Sequence, residues 1–289
     1  MPNFIAKMTK GIQQYRKRRA LVSTGVNPFF VIPTEQSCPK IGRRTNVVLV
    51  HHQACTGGTL VSRCLAALPG TRLLSEIHPF YTVEKPFSPS APVDQYIKLY
   101  GALPNWAVQQ HFRSQVELLA NVAGFEDKIL ILRDHSHADF MQSKIHGKTP
   151  VRDYLTDFST VSLVTIRHPL DSFLSAMASR WTGGVNNSLA TYSGRYMRFL
   201  DAYEGTPKLK YEELTANPVD VIEKVCLELN LTFDYNFATG ISQHSLSGDS
   251  GRSSSKIGLR KRRNVPAKVE AERKSPAYQT LCNRLGYDT

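Results

Sequence analysis

The sequence predicts an α/β fold with a mostly parallel central sheet flanked by helices. Three observations carry that prediction. Residues 46–51, 128–132 and 161–166 are continuous apolar or β-branched runs, the pattern of strands buried on both faces. Segments of helical periodicity alternate with these runs, which is the signature of a parallel sheet with helical crossovers. Each run ends in a polar turn, and open α/β sheets bind their ligands at the carboxyl ends of the strands.

In chain order, residues 1–44 show no sustained periodicity and are basic, so they are expected to form an N-terminal extension ahead of one domain at 45–289. The strand at 46–51 leads through a Gly-rich turn into a helix over about 59–67, and Leu73 to Ile77 follow as the strand after that helix. Residues 77–109 hold Pro79, Pro86, Pro89, Pro92 and Pro104 among Phe80, Tyr81, Phe87, Tyr96, Tyr100 and Trp106. So long a stretch with little pattern is functional or disordered, and its aromatics favour a cover over an acceptor site. Helices are predicted at 110–123, 170–180, 188–203 and 218–229, and a short strand includes Leu209 to Tyr211. Asn217-Pro218 supplies a cap and a first-turn proline for the last of these helices. There is no internal repeat.

Composition narrows the function classes. A chain of 289 residues can bury a full core as one large domain. No apolar run approaches the ~20 residues of a membrane span, and the basic N-terminus lacks the apolar stretch of a secretory signal. Five scattered Cys, with no C-x-x-C pair, argue against a disulfide framework or a zinc site and fit a reducing, cytoplasmic compartment. The net charge of +12 favours anionic partners such as nucleotides, nucleic acid or membrane surfaces. Residues 1–20 carry six basic side chains and no acidic one, which we read as a solvated tail. Residues 252–274 carry nine basic side chains against Glu270 and Glu272, and there ligand contact is expected.

Two strand–turn–helix segments concentrate the chemistry. The first runs Val47-Val48-Leu49-Val50-His51-His52-Gln53-Ala54-Cys55-Thr56-Gly57-Gly58-Thr59-Leu60. Its Gly and Thr residues let backbone and hydroxyl groups wrap an anion at a helix N-terminus. It is not a Walker A motif, because no Lys lies between Gly58 and Ser62, so an ordinary ATPase or GTPase is disfavoured. The second runs Thr165-Ile166-Arg167-His168-Pro169-Leu170-Asp171-Ser172-Phe173-Leu174-Ser175. A strand-end Arg and a helical Ser eight residues on can put both polar heads at one phosphate.

The pair of segments resembles the sulfotransferases that use 3′-phosphoadenosine 5′-phosphosulfate (PAPS), over roughly residues 46 to 260. In that family the first loop reads basic-Ser-Gly-Thr-Thr and holds the 5′-phosphosulfate. The resemblance assigns that role to Cys55, Thr56, Gly57, Gly58, Thr59 and Leu60. Cys55 departs from the pattern, since it stands where the family has Lys or Arg. Arg63, Arg133, Arg252 and Lys256 are candidates to replace that cation. The second segment resembles the family's 3′-phosphate signature Arg-x-Pro-x-Asp-x-x-x-Ser, which implicates Arg167 and Ser175. Lys210-Tyr211-Glu212-Glu213-Leu214 resembles a family segment whose Tyr lies near the adenine, which implicates Tyr211. The Gly/Ser loop at 247–256 resembles a late basic loop at the 3′-phosphate, which implicates Arg252 and Ser254.

Sulfuryl transfer needs a base for the acceptor proton and stabilisation of charge on the leaving phosphate; it does not need a metal. His135 lines up with the family's catalytic His, and imidazole titrates near neutrality. Glu76 stands where other members place a catalytic Glu, and His137 or His78 are alternatives. The His-x-His spacing of 135 and 137 also suits a metal, but no Cys or third His is near in sequence. The resemblance therefore implies a PAPS-dependent transferase with no metal, acting on a small-molecule or glycan acceptor, with no nucleic-acid partner and an open oligomeric state. The rivals are another P-loop phosphoryl transferase, such as a kinase, and a non-catalytic polyanion-binding relic of the fold.

Overall fold

The computed structural model describes residues 46–79, 93, 99–141, 151–182, 187–241, 246, 257–258 and 260–289. The N-terminal extension, most of the aromatic stretch at 77–109, and Arg252, Ser254 and Lys256 lie outside the described residues.

Five parallel strands form one sheet: β1 (Asn46–His52), β2 (Thr71–Ile77), β3 (Ile129–Asp134), β4 (Ser159–Ile166) and β5 (Lys208–Lys210), in the order β2-β3-β1-β4-β5. β1 is central and every residue after Asn46 is buried, which is why its sequence is apolar without alternation. Val48 and Val50 pack on one face beneath α1 (Gly58–Ala66), whose Leu60, Val61, Cys64 and Leu65 join the same core. Val47 and Leu49 pack on the other face against Phe112, Val116 and Ala120 of α2 (Asn105–Phe125). Side chains buried this completely each contribute about 1.5–3 kcal/mol.

A short α3 (His137–Phe140) follows β3, and α4 (Pro169–Ala178) and α5 (Leu189–Ala202) follow β4. Val164 and Ile166 pack against Phe173, Leu174, Tyr192, Tyr196 and Phe199 of these two helices. The chain leaves β1 towards β2 on one side of the sheet and leaves β4 towards β5 on the other. The crevice between the carboxyl ends of β1 and β4 is thus the switch point of the sheet, the place where such folds bind ligands.

The remaining helices are α6 (Tyr211–Ala216), α7 (Pro218–Glu228), α8 (Phe237–Gly240), α9 (Ala267–Glu272) and α10 (Pro276–Leu285). Three differences from the sequence reading stand out. Tyr211 opens α6 instead of ending β5. The helix before β3 begins at Asn105, about a turn earlier than its apolar pattern, because its first turn is exposed. The helices α9 and α10 were not expected: Val269 is the one buried apolar residue of α9, set among the charges of 252–274, and the buried Tyr278, Leu281, Cys282 and Leu285 of α10 form a short pattern at the end of the chain. Their end signals are nevertheless present: Pro276 in the first turn of α10, and Gly286 after it with φ 68°. Among the described residues no helix is long and apolar enough to cross a membrane.

Candidate functional site

The register of β1 on β4 pairs His52 with Thr165, so both strands end level and their turns lie side by side. The first turn reverses the chain through Cys55 and Gly57, with φ of 66° and 96°. Its two glycines are required for different contacts. A Cβ on Gly57 would stand 2.6 Å from Cδ2 of Tyr211, and one on Gly58 would stand 2.3 Å from Cγ of His52. Thr56 is buried; its hydroxyl donates to Gln53 O at 2.8 Å and lies 3.2 Å from the Thr165 hydroxyl. Tyr192 donates to Ala54 O at 3.2 Å, and Arg167 donates to Cys55 O at 3.4 Å. The turn is therefore a fixed cradle that opens onto the start of α1, where the Leu60 and Val61 N–H groups close the first turn by donating to Gly57 O at 2.9 and 3.1 Å. Thr59 stands half-buried in that first turn, whereas the side chain of Leu60 belongs to the core.

Burial pushes the Cys55 thiol up to about 11, with Arg167 and Arg263 pulling the other way. Position 55 is therefore uncharged at neutral pH. Gly58→Ala is expected to destabilise the protein by about 1–3 kcal/mol, the usual consequence of overpacking. The His52 ring cannot withdraw, because Arg133 holds it from the far side. Urea unfolding measures this, and an unshifted midpoint would show that the ring yields.

The second turn brings together the two side chains that its spacing pairs. Arg167 Nη1 donates to Ser175 Oγ at 3.2 Å, and the guanidinium lies 4.5 Å from the centroid of the Tyr211 ring. Tyr211 is thus wedged between Gly57 and Arg167, touching both turns. The Arg167 N–H donates to the Tyr196 hydroxyl at 3.2 Å, and the His168 N–H donates to Glu212 Oε1 at 3.0 Å. The other Glu212 oxygen accepts from the Tyr287 hydroxyl at 2.7 Å. His168 caps α4 by accepting from the Leu170 N–H, and Pro169 and Asp171 occupy the first turn. Asp171 accepts two bonds from Arg262, at 2.8 and 3.2 Å. The basic stretch at 252–274 therefore does return to this turn, through a residue the sequence did not single out.

The acid–base candidates meet at the ends of β2 and β3. The pairing of these strands is irregular between Leu74 and Ile77, and Glu76 within it has φ 59°. One Glu76 oxygen meets the Arg133 guanidinium and the other meets His135 Nδ1. His137 Nδ1 lies 3.9 Å from that second oxygen. Glu76 thus converges with His135 and His137, which lie more than 50 residues after it in sequence. His78 holds both Asp139 oxygens at 3.1 Å. The segment after β3 is pinned by the His135 N–H to Ile77 O at 3.0 Å and by the Ser136 hydroxyl to His52 O.

Burial pushes His135 down to about 4, with His78 and Arg133 adding to the shift and Asp134 and Asp139 opposing it. Burial pushes His137 down to about 3, with His135, Arg133 and His78 adding to it. Both rings are neutral at pH 7. Arg133 and Asp134 are fully buried and point to opposite faces of the sheet. Arg133 Nε donates to His52 Nε2 at 3.1 Å, and His52 Nδ1 donates to Gln53 O at 3.2 Å. These two partners fix His52 as the neutral Nδ1–H tautomer, consistent with burial and Arg133 holding its pKa well below the usual value. Asp134 is bound by His51 Nδ1 at 2.9 Å and by the Tyr203 hydroxyl at 2.7 Å, which ties β3 to α5.

Of the candidate replacements for the loop cation, Arg63 is buried within α1, and Arg133 is matched by Glu76 and donates to neutral His52. Sequence reasoning missed His52, Gln53 and Arg263. The strand alternation carries a signal for His52, since it shares a face with Val48 and Val50 and so must lie beneath the turn. Gln53 is fully buried, and neither of its amide atoms has a partner among the described residues. Its value lies in the tertiary setting, and nothing in the sequence marks it.

No family model matches the sequence, and no curated protein matches it. Solved structures do match its fold. The sulfotransferase domain of the Synechococcus PCC 7002 olefin synthase aligns at 17% identity over 89% of this chain and 100% of that one, with a TM-score of 0.51. The sulfotransferase domain from the curacin biosynthetic pathway aligns at 15% identity over 86% of this chain and 99% of that one, with a TM-score of 0.52. At such identities the likeness is one of architecture: the chain has a sulfotransferase-like α/β fold.

Proposed function

We propose that the protein transfers a sulfuryl group from PAPS to a hydroxyl or amine of a small-molecule or glycan acceptor. The observation that carries this reading is the Arg167–Ser175 contact, with Tyr211 linking it to the glycine turn of β1. Two anion grips on adjacent strand ends suit a nucleotide phosphorylated at both its 3′ and 5′ positions. The N–H groups at the start of α1 and the Thr59 hydroxyl hold the 5′-phosphosulfate, and Arg167 and Ser175 hold the 3′-phosphate. The positive field at neutral Cys55 comes from Arg167 and Arg263, the two groups that act on its thiol.

In the transfer step His135 Nε2 takes the acceptor proton while the acceptor heteroatom bonds to sulfur. The bond from sulfur to the 5′-phosphate oxygen breaks, and 3′-phosphoadenosine 5′-phosphate (PAP) leaves with the negative charge. Glu76 accepts a hydrogen bond from His135 Nδ1–H, which keeps Nε2 as the basic nitrogen and stabilises the imidazolium as it forms. Arg133 holds the Glu76 carboxylate in that orientation.

The test compares PAP with ATP. PAP at 100 times its Kd is expected to stabilise the fold by about 2.7 kcal/mol, and ATP at the same concentration by far less. Arg167→Ala should weaken PAP binding by about 1.5–3 kcal/mol, the worth of a hydrogen bond to a charged group, with the fold retained. Equal thermal shifts from both nucleotides, or an unchanged PAP affinity in the variant, would defeat the proposal. The uncharged Cys55 favours a second reading, a PAP-binding protein without activity. PAP stabilisation with no transfer to phenols, sugars or amines would select it.

A further inference from the structure

We propose that Glu76, His135 and His137 form a binding site for a divalent transition metal ion of the zinc and cobalt type. One ligand atom from each residue can be chosen so that all three lie within 4.8 Å of one another. The separation between Glu76 Oε2 and His137 Nδ1 is 3.9 Å, and the two imidazole centroids are 3.6 Å apart. Metal–ligand bonds of about 2.0–2.2 Å set tetrahedral ligand atoms roughly 3.4 Å apart, so small side-chain rotations complete the geometry. Two imidazoles and one carboxylate suit zinc, cobalt, nickel or ferrous iron, whereas calcium and magnesium prefer oxygen alone.

Backbone and side-chain hydrogen bonds of the flanking segments hold these ligands together. His135 is fixed to Ile77 O, Ser136 to His52 O, and Asp139 of α3 to His78. Arg133 grips the Glu76 oxygen that faces away from the imidazoles, so the carboxylate is oriented from outside as metal ligands usually are. The Trp181 ring lies parallel to His137 at 6.5 Å and walls the cluster. Three protein ligands leave a fourth position for water or an acceptor heteroatom. A bound ion uses nitrogens that would otherwise take a proton, so the metal-loaded and proton-accepting states exclude each other. The proposal goes beyond the transferase reading and is tested without nucleotide.

Metal-free full-length protein is titrated with Co²⁺ and followed by visible absorption. One equivalent should give d–d bands, and Zn²⁺ should bleach them. His137→Ala should weaken Co²⁺ binding at least about 10-fold, since even supporting residues of metal sites contribute 10–100-fold. His137→Cys should keep the site and add a thiolate-to-cobalt charge-transfer band, so a loss in the alanine variant is not mistaken for misfolding. His111→Ala, on α2, should bind as the parent does. Absence of d–d bands in the parent, an unweakened His137→Ala, or a folded His137→Cys that lacks the charge-transfer band would each overturn the proposal.

Discussion

His135→Ala is expected to lower sulfuryl transfer by about 10²–10⁴-fold while PAP affinity stays nearly unchanged. A general base acts on the acceptor proton, and the proposed nucleotide contacts lie on other strands: the first turn follows β1, and Arg167 follows β4. Glu76→Gln divides the roles. If Glu76 orients and stabilises the imidazolium, the amide retains an acceptor oxygen for Nδ1–H but loses the charge, and the loss is smaller than for His135→Ala. If Glu76 is the base, Glu76→Gln abolishes turnover and His135→Ala does not. Turnover at saturating acceptor, with PAP affinity by calorimetry, reads both variants. Full turnover in both would remove this cluster from the chemistry.

Arg133→Met is expected to destabilise the protein by about 3–5 kcal/mol, the effect of removing one partner of a buried ion pair. Arg133 is fully buried, and Glu76 is only 9% exposed at its side chain. Without the guanidinium the Glu76 carboxylate has no counter-charge, and His52 Nε2 loses the donor that holds its ring beneath Gly58. Because the penalty comes from the stranded carboxylate, the double variant Arg133→Met, Glu76→Gln should recover part of it. A double-mutant cycle by urea unfolding measures the coupling. Strict additivity of the two losses would show that the pair does not interact.

The sequence by itself determined the fold class and the two strand–turn–helix segments that follow β1 and β4. Both depend on contiguous residues. Val47 to Val50 are apolar without alternation because β1 is covered on both faces, and Cys55 to Thr59 and Arg167 to Ser175 encode strand, turn and helix within a few residues of each other. Local backbone chemistry settles such segments: the positive φ at Gly57, the proline at the start of α4, and the Arg and Ser separated by two helical turns. The C-terminal helices were locally encoded too, but both are short and their apolar positions are sparse.

Only the tertiary structure decided what those segments meet. The pairing of His52 with Thr165 sets the two turns level, and a register shifted by one residue would separate them and turn every side chain to the other face. The irregular pairing at the end of β2 aims Glu76 at Arg133 and His135, a contact between residues 57 and 59 positions apart. It also supplies the third ligand that the His-x-His spacing lacks in sequence. The wedge of His52 under Gly58, and the hold of Arg262 on Asp171, arise in the same way. Strand order, register and burial fix these meetings. They are properties of the packed sheet, whereas a linear pattern reports only the faces and turns of each element.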